Sequence, residues 1–189
     1  MNVYQLKELP EDYQELQLDL DDLFDALGEE HLMTIHFQRS RNTSLLPIWK
    51  PLELEFTDVL GKNSKEPDVS LWASTYLVLN LRAYEILSDS LRHEGEFLPI
   101  TIGEKPGYIF NCLSFGQEDT AVCTMKYLDG IEDGLETLYF DEDDVRDRLL
   151  FKSKMQGCQA LYATEAFRDI CAKHQLHGLR FEEDLLAIF

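Results

Sequence analysis

The chain has 189 residues, 44% of them hydrophobic, and its 17 basic against 36 acidic side chains give a formal charge of −19. This length is enough for one sizeable core, which predicts a single domain over residues 1–189, with residues 1–60 as a candidate N-terminal subdomain. The charge disfavours nucleic acid and anionic membranes as partners, and neither a signal peptide nor a membrane-spanning run is recognisable, so we expect a cytoplasmic protein.

The first predicted elements are a short strand at residues 2–6 and an acidic helix near residue 20. Four apolar residues between positions 20 and 27 recur at helical spacing and mark one face. Asp19 is placed to cap the start of this helix, and Gly28 is placed to end it. The acidic residues lie off the apolar face, so the helix is expected to expose a row of carboxylates to solvent. Their spacing does not fit the ligand positions of a calcium-binding EF-hand loop.

The next segments alternate strands and loops. Met33, Ile35 and Phe37 alternate with polar residues and predict a strand, and a second strand follows at residues 52–56. A polar break at residues 60–68 separates these from the strand STYLVLN and a helix that ends before Gly95.

The stretch EFLPITIGEKPGYIFNCLSF, residues 96–115, predicts a β-hairpin with a connection of three to five residues and with its apolar side chains in the core. Pro99 indicates that its strand lies at a sheet edge or a bulge. The same stretch contains a carboxylate, a cysteine and an asparagine, so an active site is the competing interpretation.

The C-terminal half continues with short strands. AVCTMKYL and LETLYF flank a turn, residues 141–148 form a charged loop or first helical turn, and LLFKSK and CQALYA predict two further strands. Thr164 is predicted to cap a helix that ends at Gly178, and a final segment LRFEEDL closes the chain. The irregular order predicts an α+β fold with a mixed or largely antiparallel sheet and a few packed helices.

Most of the negative charge lies in two segments. Residues 11–30 carry nine acidic and no Lys or Arg residues, and residues 118–148 carry eleven acidic against three basic residues. Such concentrated charge steers basic partners, although solubility alone is the simpler explanation. The residues predicted to bind a partner are Asp19, Asp21, Asp22, Asp25, Glu29, Glu30, Asp141, Glu142, Asp143 and Asp144.

No residue pattern predicts catalysis, a cofactor or a metal. The four cysteines are scattered, and Cys112 has no basic neighbour that would activate its thiol. Glu96 is a lone glutamate, which by itself names no reaction. His174 and His177 have a spacing that suits metal ligation but lack a recognisable third ligand, so capping of a helix C-terminus is the favoured interpretation.

The segment from Trp72 to Phe181 resembles a family of bacterial polymorphic-toxin immunity proteins that was long classified as a domain of unknown function. The resemblance rests on EFLPITI after the YLVLN strand and its helix, on YIFNCLS, and on HGLRFEE after a C-terminal helix. The corresponding family positions are Glu96, Pro99, Asn111, Gly178 and Phe181. The resemblance implies a cytosolic protein that binds a cognate toxin; the acidic helix lies outside the matched region.

The sequence therefore predicts a binding protein rather than an enzyme. In the first hypothesis, the acidic surface occludes a basic site on a cognate protein toxin, with a nuclease as one candidate. The alternatives are a small hydrolase or transferase with an unrecognised site, and an acidic adaptor or regulatory protein.

Overall fold

The computed structural model describes residues 2–188 and confirms the predicted α+β class. The helices are α1 Leu20–Leu27, α2 Leu32–Arg41, α3 Leu81–Leu91, α4 Glu142–Val145 and α5 Glu165–His174, with 3-10 turns at Glu29–His31 and Leu46–Ile48. The strands are β1 Val3–Lys7, β2 Glu15–Leu16, β3 Leu52–Leu54, β4 Phe56–Thr57, β5 Val69–Trp72, β6 Tyr76–Asn80, β7 Gly95–Ile102, β8 Lys105–Cys112, β9 Thr124–Leu128, β10 Ile131–Thr137, β11 Leu150–Phe151, β12 Tyr162–Thr164 and β13 Arg180–Glu182.

A five-stranded sheet with the order β3-β7-β8-β6-β5 forms the centre of the molecule. β3 runs parallel to β7, and the other neighbours are antiparallel. β6 and β7 are therefore parallel with β8 between them, and α3 connects them across one face. Tyr76 and Val78 face one core cluster, whereas Leu77 and Leu79 face another, as expected for a sheet covered on both sides.

Helices α3 and α5 share the first core cluster with one face of this sheet. Ala83, Leu87, Phe167 and Cys171 are buried there. Leu6 of β1 belongs to the same cluster, because β1 lies inside a second sheet with the order β11-β12-β1-β13. The N-terminal strand is thus held by strands from the C-terminal quarter of the chain.

The opposite face of the central sheet is covered by α1 and α2. Leu23, Leu27 and Ile35 pack in one cluster with Tyr76 and Ile109 from the sheet. A third, smaller cluster lies under α4 and contains Leu138, Phe140, Val145, Phe151, Ala160 and Tyr162.

The strand predicted at residues 33–38 is wrong, since these residues belong to α2. Only Ile35 and Gln38 of this helix are buried, whereas Met33 is exposed. The helix ends in a left-handed Asn42, with Arg41 stacked over the Phe37 ring. A short apolar alternation does not distinguish helix from strand, and here burial of one narrow face against the sheet decided it.

The hairpin predicted at residues 96–115 is confirmed as β7 and β8, but its turn has two residues rather than the predicted three to five. The prediction that Pro99 marks an edge or a bulge is wrong, because β7 lies between β3 and β8. β3 begins to pair with β7 only at Ile100, so the missing N–H of Pro99 removes no hydrogen bond from the sheet. The Pro99 carbonyl accepts a hydrogen bond from Trp49 Nε1 at 2.9 Å.

Two details of the predicted C-terminal helix are also corrected. Thr164 lies at the N-cap, but its hydroxyl donates to the Arg148 carbonyl at 2.7 Å rather than capping α5. The helix ends at His174, followed by a left-handed Gln175, and not at Gly178. No helix within residues 2–188 has the length and apolar character needed to cross a membrane.

Candidate partner-binding surface

Helix α1 begins with a capping box formed by two of the predicted partner-binding residues. Asp19 Oδ1 accepts from the Asp22 amide at 2.9 Å, and Asp22 Oδ2 accepts from the Asp19 amide at 3.0 Å. These reciprocal bonds satisfy backbone donors that the first turn leaves free. Asp19 and Asp22 are therefore needed for the helix itself, although both remain exposed.

The remaining acidic side chains of this region face solvent. Among residues 2–188, the side chains of Asp21, Asp25 and Glu29 make no hydrogen bond or ion pair, and all three residues are exposed. Glu30 lies 3.9 Å from His31 Nε2. Because no cation among residues 2–188 pairs with them, Asp21, Asp25 and Glu29 are available to a basic partner.

A groove of about 540 Å³ runs between α1 and the sheet edge at β3. Asp22 and Asp25 line one side, and Glu53 and Glu55 line the other. Glu53 and Glu55 were absent from the predicted surface, although their outward alternation in LELEF was visible in the sequence. The structure thus brings four carboxylates to a single groove.

The aspartate carboxylates of the second predicted cluster, residues 141–144, bind backbone amides and arginines within and around α4. Asp141 accepts from the Asp143 amide at 2.9 Å, and Asp143 pairs with Arg146 at 2.5 Å. Asp144 bonds to Arg148 at 3.1 Å and accepts from the Gln117 amide at 2.9 Å. The Arg148 hydrogen bond, followed by that from Gln117, lowers the pKa of Asp144.

Beside α4 lies a second groove, of about 520 Å³, with carboxylates from three parts of the chain. Glu136 and Glu142 line it together with Glu183 and Asp184. Glu183 and Asp184 follow β13 and were not predicted, since only the packing of β1 against β13 places the C-terminal segment here. The two acidic grooves belong to separate surfaces, because α1 packs on the central sheet and α4 on the third cluster.

Glu96 and Asn111 form a buried structural contact. Both are buried and lie opposite each other in β7 and β8. Glu96 accepts from the Ser44 hydroxyl and the Leu45 amide, each at 2.6 Å, and from Asn111 Nδ2 at 2.8 Å. Asn111 also donates to the Thr43 carbonyl at 3.0 Å. These bonds tie the loop after α2 to the sheet.

Cys112 lies in the opposite core, and the structure brings two cations, Lys152 and Arg148, near enough to act on its thiol, but burial outweighs their effect. The side chain is fully buried, and burial raises its pKa to about 12. Lys152 is also fully buried; burial lowers its pKa, and its Nζ donates to Asn42 Oδ1 at 2.8 Å. A thiol with so high a pKa is almost entirely protonated at neutral pH and is therefore a poor nucleophile.

His174 and His177 lie around the end of α5, and the segment between them is held by other side chains. Arg82 donates to the His174 carbonyl at 2.5 Å, and Asp68 accepts from the His177 amide at 3.1 Å. Within residues 2–188, no three His, Cys, Asp or Glu side chains are grouped to hold a metal ion.

Gly178 and Phe181, two positions of the family resemblance, have packing roles. Gly178 has φ +125°, and a Cβ there would lie 2.2 Å from the Val69 carbonyl oxygen. Phe181 packs edge-on against Tyr4, with ring centroids 5.9 Å apart. Both contacts hold the C-terminal segment on the two sheets.

Comparison of the chain with protein-family models and with curated proteins returns no match.

Proposed function

We propose that this protein binds and neutralises a basic protein, namely a cognate toxin of the kind that the resemblance to immunity proteins implies. The observation that carries the proposal is the exposed set Asp21, Asp25 and Glu29, which no cation of the described chain compensates. The adjoining groove adds Glu53 and Glu55 to the same surface.

The mechanism is occlusion of a positively charged site. A surface of one sign attracts an oppositely charged partner over several ångströms and raises the association rate, an effect that salt screens. A nuclease is one suitable partner, because the groove that receives phosphates must be basic. Cytoplasmic residence would place the protein where such a toxin acts.

Co-expression with the product of the reading frame directly upstream tests this proposal. We expect a complex that survives purification, and cells that grow when both proteins are present but not when the upstream product is expressed alone. A well-folded upstream product that forms no complex and is not counteracted would contradict the proposal.

The role of α1 is tested by the double variant Asp21→Lys/Asp25→Lys. Neither side chain caps the helix, so folding is expected to be retained, while association with the upstream product slows and its salt dependence weakens. Glu85→Lys/Asp89→Lys on α3 makes the same charge change at the same spacing and serves as the control. Equal association rates for both double variants at low and physiological salt would exclude steering by α1.

A further inference from the structure

The hairpin of β9 and β10 stands apart from the rest of the fold. It forms a two-stranded sheet of its own, with Leu128 paired to Ile131 across a two-residue turn. Asp129 and Gly130 both have positive φ, as a tight hairpin turn requires. All nine residues from 126 to 134 are exposed, so this end of the ribbon projects into solvent.

Three large apolar side chains lie at the tip of this ribbon. Tyr127 and Leu128 are each 62% exposed, and Ile131 is 74% exposed. Leu128 and Ile131 are cross-strand partners and therefore lie side by side on one face, with Tyr127 on the other. Soluble proteins seldom place adjacent large apolar side chains on a projecting strand pair without a partner that covers them.

The surroundings of this apolar tip are acidic. Asp129 and Glu132 adjoin it, whereas the one nearby cation of the ribbon, Lys126, is paired with Asp133 at 3.3 Å. At the base of the ribbon, Glu136 lines the acidic groove beside α4. An occupant of this surface must therefore bring an apolar pocket together with basic side chains.

We propose that the β9–β10 tip is the anchor by which the protein holds its basic protein partner, with Tyr127, Leu128 and Ile131 entering an apolar pocket on that partner. This inference rests on the proposed function and adds a contact that the acidic surface alone does not supply. Charges around the tip direct the encounter, and burial of the three side chains slows dissociation.

Charge complementarity favours a basic protein over the two other occupants of an apolar tip. In a self-associated pair, the carboxylates around one tip would face the same carboxylates of its copy. An anionic membrane surface would be repelled by the same groups.

The test compares dissociation of the upstream product from the wild-type chain, from Leu128→Thr/Ile131→Thr, and from a matched control. Threonine suits a strand, and both positions are exposed, so the ribbon is expected to persist. Val59→Thr/Leu60→Thr removes two exposed apolar side chains, 47% and 68% accessible, from a loop elsewhere and is the control. Unchanged melting temperatures establish that all three proteins are folded.

We expect dissociation of the tip variant to be about tenfold faster or more, with little change in the control. If the wild type binds and the tip variant dissociates at the same rate, the anchor is wrong and the proposed function stands. If the wild type does not bind the upstream product, the proposed function and the anchor both fall. Self-association, or binding to phosphatidylglycerol vesicles, that the tip substitutions abolish would also overturn the assignment.

Discussion

Asp144 links α4 to the neighbouring loop through Arg148 and the Gln117 amide. Because these bonds lower its pKa, the folded state favours the carboxylate. The resulting stabilisation is complete above the unfolded pKa of about 3.9 and is lost as the pH falls through the lower folded value.

We therefore expect Asp144→Asn to lower the free energy of unfolding by about 1 kcal/mol at pH 7. The difference from wild type should shrink as the pH falls below about 4. Urea unfolding at several pH values measures it, with the exposed Asp147→Asn as the control. A difference that does not change with pH would show that Asp144 acts through packing and not through its charge.

The cysteines provide a second prediction at the scale of the residue. Burial raises the pKa of Cys112 and that of Cys171 to about 12 each, whereas Cys123 is half-buried. We expect iodoacetamide at pH 8 to modify Cys123 first and to reach Cys112 and Cys171 only after unfolding. Mass spectrometry of peptides from native and urea-treated protein gives the order. Rapid native labelling of Cys112 would contradict the described core.

At the scale of the element, α1 has two kinds of carboxylate: those that cap the helix and those that only face solvent. Asp19→Ala removes one half of the capping box and is expected to lower stability by about 1 kcal/mol. Asp21→Ala, two positions along the same helix, should change stability by less than about 0.5 kcal/mol. Thermal unfolding followed by circular dichroism compares them, and equal losses would mean that the cap does not stabilise the helix in the folded chain.

The two long hairpins, β7–β8 and β9–β10, differ in how far their aromatic side chains are buried. Phe110 of β8 is fully buried, and Phe110→Ala is expected to lower stability by about 3–5 kcal/mol. Tyr127→Ala in β9 removes an aromatic side chain that is largely exposed, and a change within about 0.5 kcal/mol is expected. Denaturant midpoints distinguish them. A large loss from Tyr127→Ala would mean that the ribbon tip is part of the core.

At the scale of the whole molecule, the N-terminal sixty residues share sheets and a hydrophobic core with the rest of the chain. β1 pairs with β12 and β13, and the α1–α2 segment shares its core with Tyr76 and Ile109. We expect one cooperative unfolding transition, with coincident midpoints by fluorescence and circular dichroism, and a fragment of residues 1–60 that is unfolded by itself. Two separated transitions would instead establish the N-terminal subdomain considered from the sequence.

Much of the fold was predictable because local pattern and tertiary packing agree there. The helix at α1 and the β7–β8 hairpin were both placed from apolar spacing and turn residues close to them in the chain. Where the local signal was weak, as at residues 33–38 and at the three-residue β3, it did not reveal which face would be buried or which strand would be the neighbour.

The candidate site was predictable only in part for the same physical reason. Charge density along the chain identified the two acidic segments, but pairing decides which carboxylates remain available, and Arg146 and Arg148 compensate much of residues 141–144. The contribution of Glu183 and Asp184 to the groove beside α4 depends on strand pairing across almost the entire chain.

The sequence by itself determined the features that depend on residues close together in the chain, namely the cap at Asp19 and the end of α1 at Gly28, and it determined the net charge. Only the tertiary structure decided the roles of Glu96 and Lys152. Glu96 bonds to residues some fifty positions away, and Lys152 Nζ to an asparagine 110 positions away. Desolvation and hydrogen bonding depend on which groups are close in space. When the partners are this far apart in the chain, residue type and sequence spacing do not reveal that proximity.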